Sequence, residues 1–159
     1  MVTGFQEHEK NIIGALAKHE EIISRLYGAY GEKFPDQRDF WIETSKEETE
    51  HARLIRELGV NIKNGTVNYI QDKIKILVIQ RSIEYINEQL EKARTKEISL
   101  INALSIALTI EKSIIDNKFF EAFRGRSVQA KNILKKLQED VQKHADKIEK
   151  MWNENRRYS

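Results

Sequence analysis

Apolar residues recur along the chain at the three- and four-residue spacing of amphipathic helices, and five segments carry this pattern. No alternating, strand-like segment competes with them, so we predict an all-α fold. The predicted helices run from about Phe5 to Lys33, from Asp36 to Gly59, from about Val67 to Thr95, from Ser99 to Gly125, and from Ser127 onward.

The helix boundaries follow from a few punctuating residues. Pro35 is the only proline, and Pro35-Asp36 ends one helix and begins the next, with Asp36 as the predicted N-cap. Gly59 is predicted to be a left-handed C-cap, followed by a loop over 60–66. Ser99 and Ser127 are the predicted N-caps of the last two helices.

Composition excludes several classes of protein. The 159 residues fit one domain, and the absence of cysteine excludes disulfides, iron–sulfur clusters and Cys-ligated zinc. The 27 basic and 25 acidic residues form no basic stripe, so we expect no binding to nucleic acid. The polar first ten residues and the short aliphatic run at 76–79 predict neither a signal peptide nor a membrane span. We therefore expect a cytoplasmic protein.

Three residues on the apolar stripes of the first two helices do not suit an apolar core. Glu20 lies on the first stripe, and Glu48 and His51 lie on the second. Ionised side chains buried without partners cost several kcal/mol each. The i, i+3 spacing of Glu48 and His51 places both on one helix face, as in the Glu-x-x-His motif of dinuclear metal sites in ferritin-like bundles. The alternative is a surface or salt-bridge role for all three.

The first half of the chain resembles the rubrerythrin family. The resemblance lies in the run 20–27, the Phe34-Pro35-Asp36 turn and the run 47–53. It implies a ferritin-like antiparallel four-helix bundle over residues 1–159, with two metal ions, usually iron, used in peroxide reduction or ferrous oxidation. Because the chain has no cysteine, it has no rubredoxin-type centre. Electrons would then come from an external donor.

The second half repeats the pattern in part. Glu111 and His144 lie on the stripes of the last two helices, 33 positions apart, and Glu20 and His51 are 31 apart. Two similar helix pairs would make the third helix a long crossover between them. The resemblance then implies a metal site of Glu20, Glu48, His51, Glu111 and His144. This set suits one or two iron(II) or manganese(II) ions and does not exclude zinc.

The second half also departs from the pattern at Val141, three residues before His144, where the resemblance implies a bridging glutamate. The neighbouring Asp140 is a poorer substitute, because its side chain is shorter and its angle is shifted. Lys118 stands seven residues after Glu111, as Tyr27 stands seven after Glu20. It either brings an ammonium group to the carboxylates or, as we expect, reaches solvent at the edge of the bundle.

Two alternatives to a redox metalloprotein stay open. In the first, the site has decayed and the fold serves as a binding scaffold. In the second, the chain is a subunit of a homo-oligomer, a dimer, with an interface on a second apolar row of Ile70, Ile74 and Leu77. That row could equally pack inside the monomer. Tyr27 and Tyr30 are predicted to be core aromatics. His19 is predicted to face solvent, about 100° round the helix from Glu20.

Overall fold

The protein, seen here as a computed structural model that describes residues 4–70 and 76–157, is mainly helical. The described part contains helices α1 (Gly4–Lys33), α2 (Arg38–Lys63), α3 (Ile76–Thr95), α4 (Leu100–Asp116) and α5 (Val128–Arg156). Short 3₁₀ turns lie at Pro35–Gln37 and Phe120–Ala122, and two strands, β1 (Val67–Tyr69) and β2 (Phe123–Gly125), pair with each other. Within these ranges no helix is long and apolar enough to cross a membrane. The predicted all-helical class is confirmed apart from the small sheet.

Helices α1 and α2 form an antiparallel pair across the Pro35–Gln37 turn. Ser24 Oγ donates to the Ser45 carbonyl at 2.9 Å. Further along, Arg56 is paired with Glu21. Because the later residue of α2 contacts the earlier residue of α1, the two helices run in opposite directions.

Helices α4 and α5 form a second antiparallel pair. Trp152 Nε1 donates to Ser105 Oγ at 2.8 Å, and Lys112 Nζ lies 3.6 Å from Glu149 Oε1. The two pairs meet where α5 contacts α2, and Gln129 of α5 donates to Glu57 of α2 at 3.0 Å.

Helix α3 lies along α1 and connects the two pairs. His19 of α1 is hydrogen-bonded to Ser82 of α3, and Lys33 Nζ donates to the Ala93 carbonyl at 2.8 Å. The later residue of α1 contacts the later residue of α3, so these helices run in the same direction. The ammonium group of Lys33 also satisfies carbonyl groups at the end of α3, where the helix dipole favours a cation.

The core is formed by the apolar stripes that the sequence predicts. Trp41, Tyr27 and Tyr30 are among the largest fully buried side chains, so both tyrosines are core aromatics as expected. The remaining large apolar side chains with no exposed surface are contributed mainly by α1, α2, α3 and α5: Ile12, Ile23, Leu26, Ile55, Leu58, Ile79, Ile86, Leu104, Leu137 and Ile148.

The predicted caps are partly confirmed. Ser99 Oγ accepts from the Asn102 amide and Ser127 Oγ accepts from the Ala130 amide, as N-caps do. Asp36, however, lies inside the 3₁₀ turn and is not the cap, since α2 begins at Arg38. The intervening 3₁₀ turn delays the start of the helix.

Gly59 does not end α2, which continues for another turn to Lys63. A Cβ atom at Gly59 would lie 3.0 Å from Ile13 Cγ2, so the glycine allows α1 and α2 to approach closely. The left-handed conformation predicted for Gly59 occurs instead at Gly65, with φ of 76°. The predicted loop over 60–66 is therefore shorter than expected.

The predicted helix start at Val67 is wrong, because Val67–Tyr69 is strand β1, antiparallel to β2 with Val67 opposite Gly125. The fourth helix likewise ends at Asp116 and does not reach Gly125. Lys118 ends it in the left-handed conformation, with φ of 53°. Three-residue strands that pair across more than fifty residues leave no periodic signal in the sequence.

Gly125 provides a test of this local geometry. A Cβ atom there would lie 2.8 Å from the Lys131 backbone nitrogen, so the first turn of α5 would have to move. We expect Gly125→Ala to destabilise the protein by about 1–3 kcal/mol in urea unfolding. Gly14→Ala is the control: nothing lies within 4 Å of its Cβ position, and alanine inside a helix should stabilise by about 0.5–1 kcal/mol. Equal effects would contradict the placement of Gly125.

Candidate metal centre

Four helices each direct at least one of the predicted metal-site residues into the core. Glu20 comes from α1, Glu48 and His51 from α2, Glu111 from α4 and His144 from α5, and none is more than 1% exposed. The helical phase that predicted inward-facing side chains is therefore right for all five. Charged groups at this depth require partners.

The shortest contacts place Glu48 between the two histidines. Glu48 Oε2 lies 3.1 Å from His51 Nδ1, and Glu48 Oε1 lies 2.6 Å from His144 Nδ1. The two imidazole rings stack at 5.3 Å between centroids with 26° between their planes. One potential ligand atom from each of the three residues lies within 4.8 Å of the others. Glu48, His51 and His144 therefore form a group that could bind a metal ion.

Several polar atoms in this region have no hydrogen-bond partner. Glu48 Oε1 and His144 Nδ1 form an ion pair at 2.6 Å, outside hydrogen-bond geometry. Glu20 Oε2 and Glu111 Oε2 are buried and have no hydrogen-bond partner. Each such atom costs roughly 1–3 kcal/mol. A bound cation would satisfy carboxylate and imidazole lone pairs together, so the residues present fit a metal.

Each histidine is held from its outer side by a carboxylate. His51 Nε2 lies 3.1 Å from Asp140 Oδ2, and His144 Nε2 is hydrogen-bonded to Glu47. Hydrogen bonds at Nε2 direct the Nδ1 atoms toward Glu48. Such outer contacts fix the tautomer and ring orientation of metal-binding histidines.

The two outer carboxylates share a position in the sequence, four residues before a histidine, which the apolar stripes do not mark. Asp140 stands four residues before His144 but contacts His51, and Glu47 stands four before His51 but contacts His144. The two pairs cross between helices α2 and α5. Asp140, predicted as a poorer substitute ligand, instead lies on the outer side of His51.

Two lysines extend these contacts toward the surface. Lys136 Nζ donates to Asp140 at 2.7 Å, and Lys147 Nζ lies 3.8 Å from Glu47. Burial alone would raise the pKa of Asp140, but hydrogen bonds from Lys136 and His51 lower it. Asp140 is therefore an ionised partner for His51.

Val141 is buried and Lys118 is exposed, as the sequence predicted, although Lys118 lies beyond the end of the helix. Val141 is 2% exposed, so the inward position at which the resemblance implies a carboxylate carries an isopropyl group. Lys118 is exposed just beyond α4. Neither residue adds a ligand to the cluster.

His19 is a correction: it is buried, not solvent-facing. Its Nε2 is 2.7 Å from Ser82 Oγ, and its ring meets Phe119 edge to face at 5.6 Å. Burial lowers the pKa of His19 to about 4, against a smaller opposing effect of Glu48. His19 would be exposed if α1 packed only against α2, but α3 also packs against α1 and covers His19.

The buried ionisable groups shift one another's pKa values. Burial and the charge of Glu48 raise the pKa of Glu20 well above its usual range and that of Glu111 to about 8. Burial alone would lower the pKa of His144, but contacts with Glu48, Glu111 and Glu47 raise it to about 9. Without a metal, protons therefore take the place of a cation in this site.

No protein-family model, curated protein or solved structure matches this chain. The resemblance to rubrerythrins therefore depends on the motifs alone. The contacts among Glu48, His51 and His144 do not identify the metal that the group could hold.

Proposed function

We propose that this protein is a rubrerythrin-like metal-binding protein, with non-haem iron or manganese used in oxygen or peroxide chemistry. The observation that carries the proposal is the convergence of Glu48, His51 and His144 at a buried point where polar atoms lack partners. Zinc is the alternative metal.

The helix directions support a ferritin-like arrangement. The α1–α2 and α4–α5 pairs are each antiparallel, and α2 runs antiparallel to α5, as the contacts His51–Asp140 and Glu57–Gln129 require. Helix α3 then acts as the crossover that starts the second pair. Ferritin-like bundles combine two helix pairs with one long connection in this way.

The donor set determines what a metal could do here. Glu48, His51 and His144 would hold the ion, with Glu20 and Glu111 as further carboxylate ligands. A bound iron or manganese ion would supply one-electron chemistry toward dioxygen or peroxide. The chain's own part is to orient the imidazoles through Asp140 and Glu47, and to bury the reacting point.

The valine at position 141 favours one ion per chain. A second ion would need a second bridging carboxylate, and this position carries none. Protein purified without chelators and loaded anaerobically with iron(II) should contain about one ion per chain. Less than about a tenth of an equivalent of iron, manganese or zinc would overturn the proposal.

A metal-free scaffold is the second candidate, and the contacts of Glu111 favour it. Tyr27 OH donates to Glu111 Oε1 at 2.7 Å, and Glu48 already lies against both histidines. These contacts partly stabilise the cluster without an ion. The same metal analysis distinguishes the two candidates.

The predicted dimer and external electron donor are parts of this proposal. Leu77, in the predicted interface row, is 52% exposed, whereas Ile70 is half-buried and Ile74 lies outside the described residues. Sedimentation that shows only monomer at high concentration would overturn the dimer.

Metal uptake should release protons. His144, with a pKa raised to about 9, carries a proton at pH 7 that a metal must displace. We therefore expect at least one proton released per ion at pH 7, and an affinity that rises with pH until about pH 9. Calorimetry in two buffers of different ionisation enthalpy measures the release. A binding heat that is the same in both buffers would contradict this prediction.

A further inference from the structure

A row of aromatic side chains begins beside the candidate metal centre. Tyr27 OH donates to Glu111, one of the proposed ligands. The Tyr27 ring lies 5.5 Å from that of Trp41, and Trp41 lies 5.0 Å from Tyr30, measured between centroids. All three side chains are fully buried.

The row continues to the surface at Tyr85 of α3. Tyr85 is 37% exposed, and α3 lies against α1, the helix that carries Tyr30. Tyr30 and Tyr85 both lie in the stretch where α1 packs on α3, between the contacts His19–Ser82 and Lys33–Ala93. Tyr27, Trp41, Tyr30 and Tyr85 therefore extend from the buried centre to solvent.

Packing alone does not explain these residue types. Trp41 Nε1 and Tyr30 OH are buried without hydrogen-bond partners, although buried indole and phenol groups usually find one. Phenylalanine at either position would give an apolar ring without an unpartnered polar atom. What tryptophan and tyrosine add is ease of one-electron oxidation, since they have the most readily oxidised aromatic side chains.

We propose that Tyr27, Trp41, Tyr30 and Tyr85 form a one-electron path between the metal centre and the protein surface. The inference rests on the proposed function. It assigns the entry point for the external donor to Tyr85, on α3.

The electron balance shows why such a path would be needed. Reduction of one hydrogen peroxide to two waters takes two electrons and two protons. Oxidation of a single iron(II) ion to iron(III) supplies one electron, and Val141 leaves the site without the carboxylate that a second ion would need. The aromatic row supplies the other electron. Tyr85 is left as a neutral radical with its phenolic proton lost to water. An external one-electron reductant such as ascorbate then restores its electron while water returns the proton, and a second electron along the same row returns iron(III) to iron(II).

The test uses the full chain loaded with iron(II), with bound iron measured on every sample before one equivalent of peroxide is added. Freeze-quenched samples are examined by electron paramagnetic resonance, with ring-deuterated tyrosine to identify a tyrosyl radical. We expect a tyrosyl signal in the wild type that ascorbate removes. Tyr85→Phe, a surface change, should make that removal slower by about tenfold or more.

Trp41→Phe should also slow the removal of the radical by ascorbate by about tenfold or more, because it interrupts the path between Tyr27 and Tyr30. Trp152→Phe is the matched control, since Trp152 packs between α4 and α5 and is hydrogen-bonded to Ser105. It should leave both yield and decay unchanged. If iron binds and is oxidised but Tyr85→Phe and Trp41→Phe behave as the wild type, the path is overturned while the metal proposal survives. If iron does not bind, the proposed function is overturned, and the path with it.

Discussion

Replacing Glu48 by glutamine should lower metal affinity by more than about 100-fold, the upper end of what loss of an outer-sphere partner costs. Glu48 is the residue that contacts both histidines, through one oxygen each. Burial alone would raise its pKa, but contacts with Glu20, His144 and His51 lower it well below the usual range. Glutamine keeps the shape and removes the charge that would hold a cation between the imidazoles.

The measurement is a competition titration with a chelating dye, on protein shown by circular dichroism to be folded. Glu43→Gln is the matched control, because Glu43 is exposed on the same helix five residues earlier. It should bind metal as the wild type does. Asp140→Asn should fall between the two, with a loss of about 10–100-fold through a misoriented His51. Wild-type affinity in Glu48→Gln would show that the metal is bound elsewhere or not at all.

The residues of this site could be predicted because helix phase is a local property. Glu20, Glu48, His51, Glu111 and His144 interrupt apolar stripes, and a buried stripe places its interruptions in the core. The same phase predicts that Val141 points inside. Neither prediction needs knowledge of how the helices pair.

The contacts that complete the site depend on helix pairing and could not be predicted in this way. The partners of His51 and His144 on the outer side come from the opposite helix, 89 and 97 positions away. His19 is buried by α3, which the pairing of α1 with α2 does not include. Strands β1 and β2 form by pairing with each other, and a segment of three residues such as 67–69 is too short to show the alternating pattern of a strand.

The prediction that Gly59 ends the second helix is wrong for the same reason, since it also depends on how the helices pair. Gly59 looks like a helix end in isolation, since glycine commonly ends helices. In the folded chain it faces Ile13, and the space it leaves is used by the neighbouring helix. A single sequence does not distinguish a glycine that ends a helix from one that admits a neighbour.

Replacing Val141 by glutamate should raise the metal content from about one to about two ions per chain, because it restores the second carboxylate between the helix pairs. Val141 is buried on α5, three residues before His144, so a carboxylate there would share the helix face of that histidine.

Without metal, another buried carboxylate on the same face of α5 as His144 should destabilise the variant by several kcal/mol, and added iron(II) should restore its melting temperature. Val141→Gln, similar in shape but neutral, should be less destabilised and stay at one ion. Metal analysis and thermal melts of both variants, with and without iron(II), decide the matter. If Val141→Glu holds no more metal than Val141→Gln, this position does not face the metal and the reason for a single ion lies elsewhere. If the content doubles only in Val141→Glu, one missing side chain accounts for the difference between this centre and a dinuclear one.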